Sequence, residues 1–349
     1  MHQLQNPCSP EAEPMPHTND AVIQAEKFPV TDDRPQKASE AADCTLFWKI
    51  ITFVQRVRWK RAVLFWMRFA INPVVTFQWW QFLAAFSAKR KLPPPHDELL
   101  QKPLSKFLIG QISHQRRLHF LVENFAIADR HFTRTVMSGL WTGRNLEMGA
   151  VHGRNDEYRC TLALADCCGG RHEGAFAVRL VRNRDDAILW TAKFIFLGTC
   201  GHHHTIVVGG MQGPRAAKEE MVSVTRDLCG LRPKEAVLMV LQGLMPEGTS
   251  AYFAVARARH PIHYRRARRQ KMLIADIDAF WRERSAEPDE TFGFKVPVST
   301  LEGADKRSRM KLSFFDIGRR FAESGADKGA RDSTSGTVTG STVSPARAQ

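Results

Sequence analysis

The chain has 349 residues, 43% apolar and 25% charged, with 50 basic against 36 acidic side chains and a formal net charge of +14. That composition excludes a fibrous or wholly disordered protein and leaves room for one large or two ordinary domains with a real core. The cationic surplus suits an anionic small molecule, an anionic lipid surface or nucleic acid, with solubility alone as the plain alternative.

Residues 1–43 are rich in Pro, Glu, Asp and Ala without an apolar period, and are expected to form a disordered acidic arm. The opening MHQLQNPCSPEAEPMP has no basic stretch followed by an apolar run, so a secretory signal is not expected. The expected placement is cytoplasmic, at most peripheral to the inner membrane. Residues 44–145 are expected to be a helical region. Phe47, Ile50, Ile51, Val54 and Val57 recur at helical spacing, Pro73 should end or kink the next segment, and Lys91-Leu-Pro-Pro-Pro is a break. Leu99 to Ile127 reads as more helix. From Leu46 to His96 there are nine Lys or Arg and no acid. Trp48, Trp59, Trp66, Trp79 and Trp80 crowd this part; they are expected to pack inside a helical layer, the alternative being an aromatic, basic helix on an anionic membrane surface. The most apolar stretch, Arg61 to Trp80, is interrupted by Arg68, Asn72 and Pro73. It falls short of the roughly 20 apolar residues of a spanning helix, so no transmembrane span is expected.

At Leu146 the pattern changes, and residues 146–322 are expected to form an α+β domain. Tyr158-Arg-Cys-Thr-Leu-Ala-Leu-Ala, Ala175-Phe-Ala-Val-Arg-Leu-Val and Ile188-Leu-Trp-Thr-Ala-Lys-Phe-Ile-Phe-Leu read as strands, with Asn183-Arg-Asp-Asp as a turn. Thr205-Ile-Val-Val reads as another, closed by Gly209-Gly210. Ala217, Met221, Val224 and Leu228 then mark a helix ended by Gly230, and Pro233 opens a second with Val237, Val240, Leu241 and Leu244 on one face. Ser250-Ala-Tyr-Phe-Ala-Val-Ala returns as a strand. The fold expected is α+β: a helical N-terminal portion, then a mixed, largely antiparallel sheet with packed helices. Residues 323–349, low in complexity, are expected to be a disordered tail.

Five blocks follow one another along the chain: Ile206-Val-Val-Gly-Gly-Met-Gln-Gly-Pro, Thr225-Arg-Asp-Leu-Cys-Gly-Leu-Arg-Pro-Lys, Ala275-Asp-Ile-Asp-Ala-Phe-Trp-Arg-Glu, Phe292-Gly-Phe-Lys-Val-Pro and Lys306-Arg-Ser-Arg-Met-Lys. In sequence and order they resemble the VirK/YbjX family, over roughly residues 46–320. His172-Glu173-Gly174 stands where that family has Glu-Gly-Glu, and Ala175 replaces the second acid. The resemblance implies association with virulence and envelope behaviour in Gram-negative bacteria, including surface-protein production and tolerance of cationic peptides.

The segment Gly209-Gly210-Met211-Gln212-Gly213-Pro214 is expected to be a turn between a strand and a helix, where free backbone N–H groups bind phosphate or another anion. Arg215 and Arg232 would neutralise that ligand and Gln212 would orient it. Arg232 sits where a helix N-cap would favour Ser, Thr, Asp or Asn, so a ligand or an internal carboxylate is expected beside it. The strand–turn–helix order resembles the acyl-CoA pyrophosphate turn of the GNAT acetyltransferases, whose pattern is Gln/Arg-x-x-Gly-x-Gly/Ala. Here Gln212 is followed by Arg215 and Ala217, without the central glycine. Acyl-CoA or another phosphate-bearing ligand is the cofactor class this suggests. Glu173 and His260 are candidate acid–base residues. Asp276, Asp278, Trp281 and Glu283 share an expected helix. His202-His203-His204 follows Cys200 and Cys167-Cys168 precedes His172, but the spacings match no ordinary zinc module and no metal is expected. Three functions compete: a GNAT-like acyl or group transferase, a non-enzymatic regulator that binds nucleic acid or another anionic partner through basic stretches such as Arg257 to Lys271, and a peripheral membrane protein that uses the Trp-rich helical region.

Overall fold

The computed structural model of the chain describes residues 49–52, 54, 59–102, 106–110, 112–199, 203–214, 217–261 and 277–332. The expected acidic arm therefore lies outside the described residues. Helices come first. α1 (Trp59–Ile71) is followed by α2 (Pro73–Arg90), and the proline at its first position separates the two as the sequence predicts. α2 closes on Lys89 and Arg90, with Lys91 in the left-handed conformation at φ 50°. A short α3 (Asp97–Leu100) follows, and then an irregular segment. The helix expected from Leu99 begins only at His114. Ser113 caps it by accepting the Arg116 N–H, and α4 (His114–His131) runs from there. The intervening Phe107, Leu108 and Ile109 are buried without being helical, so their apolar character reports core filling rather than a helical face. α5 (Arg134–Trp141) is capped by Thr133.

The sheet has eight strands: β1 (Leu146–His152), β2 (Glu157–Leu164), β3 (Phe176–Arg182), β4 (Ile188–Gly198), β5 (His204–Gln212), β6 (Ala251–Val255), β7 (Glu287–Asp289) and β8 (Gly293–Pro297). Their order is β1-β2-β3-β4-β5-β6-β8-β7. All neighbours are antiparallel except β5 and β6. A parallel pair needs a crossover, supplied by α6 (Lys218–Asp227) and α7 (Pro233–Gly243). α8 (Ile277–Arg282) leads into the β7–β8 hairpin. The architecture is thus an N-terminal helical region and a mixed, mostly antiparallel sheet flanked by further helices. One continuous hydrophobic core joins Trp79, Phe125 and Trp141 of the helices to Phe176, Phe194 and Phe196 of the sheet. No helix among the described residues is long and apolar enough to cross a membrane.

The last helix, α9 (Lys306–Asp332), runs past the point where a disordered tail was expected to begin. It crosses α7 with backbones in contact: a Cβ on Gly318 would overlap the Val240 carbonyl, and one on Gly243 the Phe315 carbonyl. Neither obstacle is a side chain that can swing away. Gly318→Val should therefore cost about 3 kcal/mol in a urea melt, and Gly318→Ala less. An unchanged midpoint for the valine variant would show that the two helices part freely.

Candidate functional site

In an antiparallel pair, directly opposed residues share a face of the sheet. Lys193 on β4 stands opposite Ala177 on β3 and Gly210 on β5, and Ala177 stands opposite Ala163 on β2. The next row is Thr161, Arg179, Thr191 and Gln212. A lysine among alanines and a glycine is thus followed by a polar row on the same face. The pairing slips once, because Lys193 meets Gly210 while Phe194 meets Val208, which leaves Gly209 as the extra residue of a β-bulge. This corrects the expectation of a turn from Gly209 to Pro214: β5 continues to Gln212, and Gly209 and Gly210 lie within it. Neither has a positive φ. Glycine is required for close approach instead. A Cβ on Gly209 would overlap the Glu173 carbonyl, and one on Gly210 would lie 2.7 Å from the Glu173 carboxyl carbon.

Glu173 hangs over the bulge from the loop between a 3-10 turn (Ala165–Cys168) and β3. Its Oε2 accepts from Lys193 Nζ at 2.6 Å, and its Oε1 lies 3.4 Å from His260 Nε2. Lys193 Nζ also donates to the Gly169 carbonyl at 3.2 Å and reaches Gln212 Oε1 at 3.5 Å. The Lys193 side chain is 1% exposed, that of His260 7% and that of Glu173 18%, whereas Gln212 opens to solvent. Burial pushes the Glu173 carboxyl up, but the hydrogen bond from His260 and the charge of Lys193 outweigh it and hold the group below the usual carboxylate range. His260 arrives from β6 through a 3-10 turn (Arg257–Arg259), whose Arg259 carbonyl accepts the Gly110 N–H at 2.8 Å. β5 and β6 pair only at Val207–Phe253 and Val208–Ala254, and beyond that point β5 pairs with β4 alone. The parallel strands therefore part at the bulge, beside Glu173.

The structure brings together Glu173, His260, Gly209, Gly210 and Gln212. It also adds Lys193, which the sequence reading missed. The signal was there: Lys193 is the one charge in the apolar run Ile188 to Leu197, and a central strand buries such a residue only with a partner. Gly213 packs against the Trp190 ring instead. Arg215 lies outside the described residues, as do Asp276 and most of the basic stretch from Arg257 to Lys271. The start of α6 carries Glu219 and Glu220, and Glu220 pairs with Arg182 at 2.7 Å, so this helix end supplies its own negative charge.

Arg232 does not join the group around Gly210. Its guanidinium meets Glu235 at 2.8 Å and Glu283 at 3.4 Å, and lies over the Phe280 ring. Glu235 takes two further arginines, Arg284 at 2.9 Å and Arg307 at 3.0 Å, and also faces the Arg232 N–H at 3.4 Å. Burial works against ionisation of Glu235, yet the arginines prevail and hold it down to about 2. The residue at this N-cap is thus explained by an internal carboxylate, and Arg232 is structural. Asp278 accepts the Arg257 N–H, and Trp281 is core.

The thiols near the site are poor nucleophiles. Burial pushes Cys167 up to about 11, and burial raises Cys168 against the pull of Arg179 and Lys193. Among the described residues no group of three or more His, Cys, Asp or Glu is placed to hold a metal ion. Cys200 and His202 lie outside them.

A family profile described as "Protein of unknown function (DUF535)" matches residues 55–305. No curated protein matches the chain, and no solved structure does.

Proposed function

The chain belongs to the DUF535 family, and we propose that it is a GNAT-like group transferase whose donor is an acyl-CoA or another phosphate-bearing carrier. The observation that supports this is one convergence: Glu173, Lys193 and His260 meet at the glycine bulge where the parallel strands β5 and β6 part. Crevices at the carboxyl ends of parallel strands whose connections diverge are where sheets of this kind take ligands. Gln212, the first residue of the sequence with a partial likeness to the GNAT turn, closes β5 at the same end.

In this reading His260 is the general base. Glu173 orients the imidazole through its contact with Nε2. Lys193 keeps Glu173 ionised. The acceptor's lone pair forms a bond to the acyl carbon, the C–S bond of the donor breaks, and the proton lost by the acceptor goes to His260. The VirK/YbjX resemblance supports an envelope precursor as acceptor, and with it a cytoplasmic enzyme at the inner face of the membrane.

Acetyl-CoA at a thousandfold excess over its Kd should raise folded-state stability by about 4 kcal/mol in a thermal-shift experiment. Gly210→Val, which fills the approach to Glu173, should abolish that shift while the far-ultraviolet spectrum stays native. If acyl-CoA leaves the melting temperature unchanged and duplex DNA raises it, the regulator reading replaces this one.

A further inference from the structure

Among the described residues, eight of the eleven exposed large apolar side chains lie on α1 and the start of α2. Trp59 is 71% exposed, Val74 66% and Ile71 65%, with Trp66, Met67 and Phe77 about half exposed. At 100° per residue, Trp59, Val63, Trp66, Met67 and Ala70 fall on one arc of α1. The opposite side is also apolar and is already used: Phe65 and Phe69 stack on Trp80 at 5.6 and 5.4 Å. α1 is therefore apolar towards the core and apolar again towards the outside. The expectation that the tryptophans pack inside holds for Trp79 and Trp80, which are buried, and fails for Trp59 and Trp66; Trp48 lies outside the described residues.

Charge identifies the partner. α1 and the first turns of α2 hold Lys60, Arg61 and Arg68 and no acid, while Lys49 and Arg90 of the wider acid-free segment are already paired with Asp97 and Asp129. Two copies meeting through this face would bring like charges together, which costs association. An anionic surface that is also apolar just beneath its charges satisfies both features, and tryptophan favours that boundary. No described helix crosses a membrane, so the element lies on the bilayer rather than through it. We propose that α1 and the first turns of α2 form an in-plane docking surface for an anionic phospholipid bilayer. Trp59, Trp66, Met67 and Ile71 enter the boundary between headgroups and acyl chains, and the acid-free segment meets the lipid phosphates. This stands independently of the transferase reading.

The full-length protein should co-sediment with phosphatidylglycerol vesicles and remain in solution with phosphatidylcholine vesicles. Binding should weaken as salt rises through the screening range. The double substitution Met67→Glu, Ile71→Glu should lower phosphatidylglycerol binding at least about tenfold, with an unchanged melting temperature because both side chains are exposed and outside the core cluster. Three results would overturn the proposal: no sedimentation with phosphatidylglycerol, equal binding to both lipids, or undiminished binding by the double variant. A stable dimer in light scattering, dissociated by the same substitutions, would assign this face to a second copy and overturn it equally.

Discussion

Lys102→Met is expected to lower the stability of the fold by about 3–5 kcal/mol. Lys102 Nζ donates to Asp166 Oδ2 at 2.5 Å and to the Gly174 carbonyl at 2.8 Å, and lies 5.0 Å from the centre of the Phe107 ring. Both side chains of the ion pair are fully buried. Burial pushes the lysine ammonium down and the aspartate carboxyl up, each against the attraction of the other. Asp166 Oδ1 already lacks a hydrogen-bond partner, so loss of Lys102 strands the whole carboxylate and forces it towards its neutral form. Asp166→Leu should be damaging in the same way, by leaving the ammonium without its counter-charge. The double variant Lys102→Met, Asp166→Leu should regain most of the loss, since the pair's net worth is small next to the cost of half of it. Urea melts of the four proteins close the cycle. A double variant as unstable as the sum of the singles would mean that the two residues act separately. The pair also ties down Gly174, the residue after Glu173, so the singles should loosen the loop that carries the candidate acid–base unit.

The parts of this fold that were legible in the sequence are those where local chemistry and burial agree. Pro233 opens α7, Gly230 takes φ +85° after α6, and β2, β3 and β4 appear as apolar runs because their residues are buried on both faces. β1 was not legible: Leu146–His152 is an edge strand with mixed exposure and no alternation. The β7–β8 hairpin was missed because a three-residue strand leaves no period to read. The extent of β5 was misjudged for a different reason. Two glycines normally end a strand, but here they make room for Glu173. In the candidate site, Glu173 and His260 were legible as residue types, while their meeting was not, because β2 to β6 must first assemble. Arg232 was misassigned because an internal cluster around Glu235 is invisible until α7, α8 and α9 pack together.

Mild acid should destabilise the protein through its buried histidines. His204 and His172 are each held down to about 4, His204 by burial and the neighbouring His131, His172 by burial and the charges of Lys102 and Arg171. Burial lowers His131 as well, and its ring centre lies 4.9 Å from that of His204. His204 Nε2, His131 Nε2 and His172 Nδ1 are buried without a hydrogen-bond partner, and the Leu244 backbone, which favours the protonated form of His131 and His204, does not offset their burial. All three are neutral in the native state at pH 7, and nearly so in the unfolded chain, where the ordinary value is about 6.5. Between 6.5 and 4 the unfolded chain binds protons that the native state refuses, so stability is full above pH 6.5 and falls as pH falls. At pH 5 the loss should be about 3 kcal/mol for His204 and His172 together, allowing for their partial contact with solvent. Glu173 and Glu235 are depressed carboxylates whose contribution is lost only at lower pH, and Asp166, pushed up, changes stability in the opposite sense. Comparison with His204→Phe removes these common contributions. Phenylalanine suits a ring packed against Phe196 at 5.2 Å, and the variant should lose markedly less stability between pH 7 and 5 than the parent. A parent curve that is flat over that interval would show that the histidines take up protons as readily in the fold as in the unfolded chain, and an unaltered slope in His204→Phe would move the effect to His172.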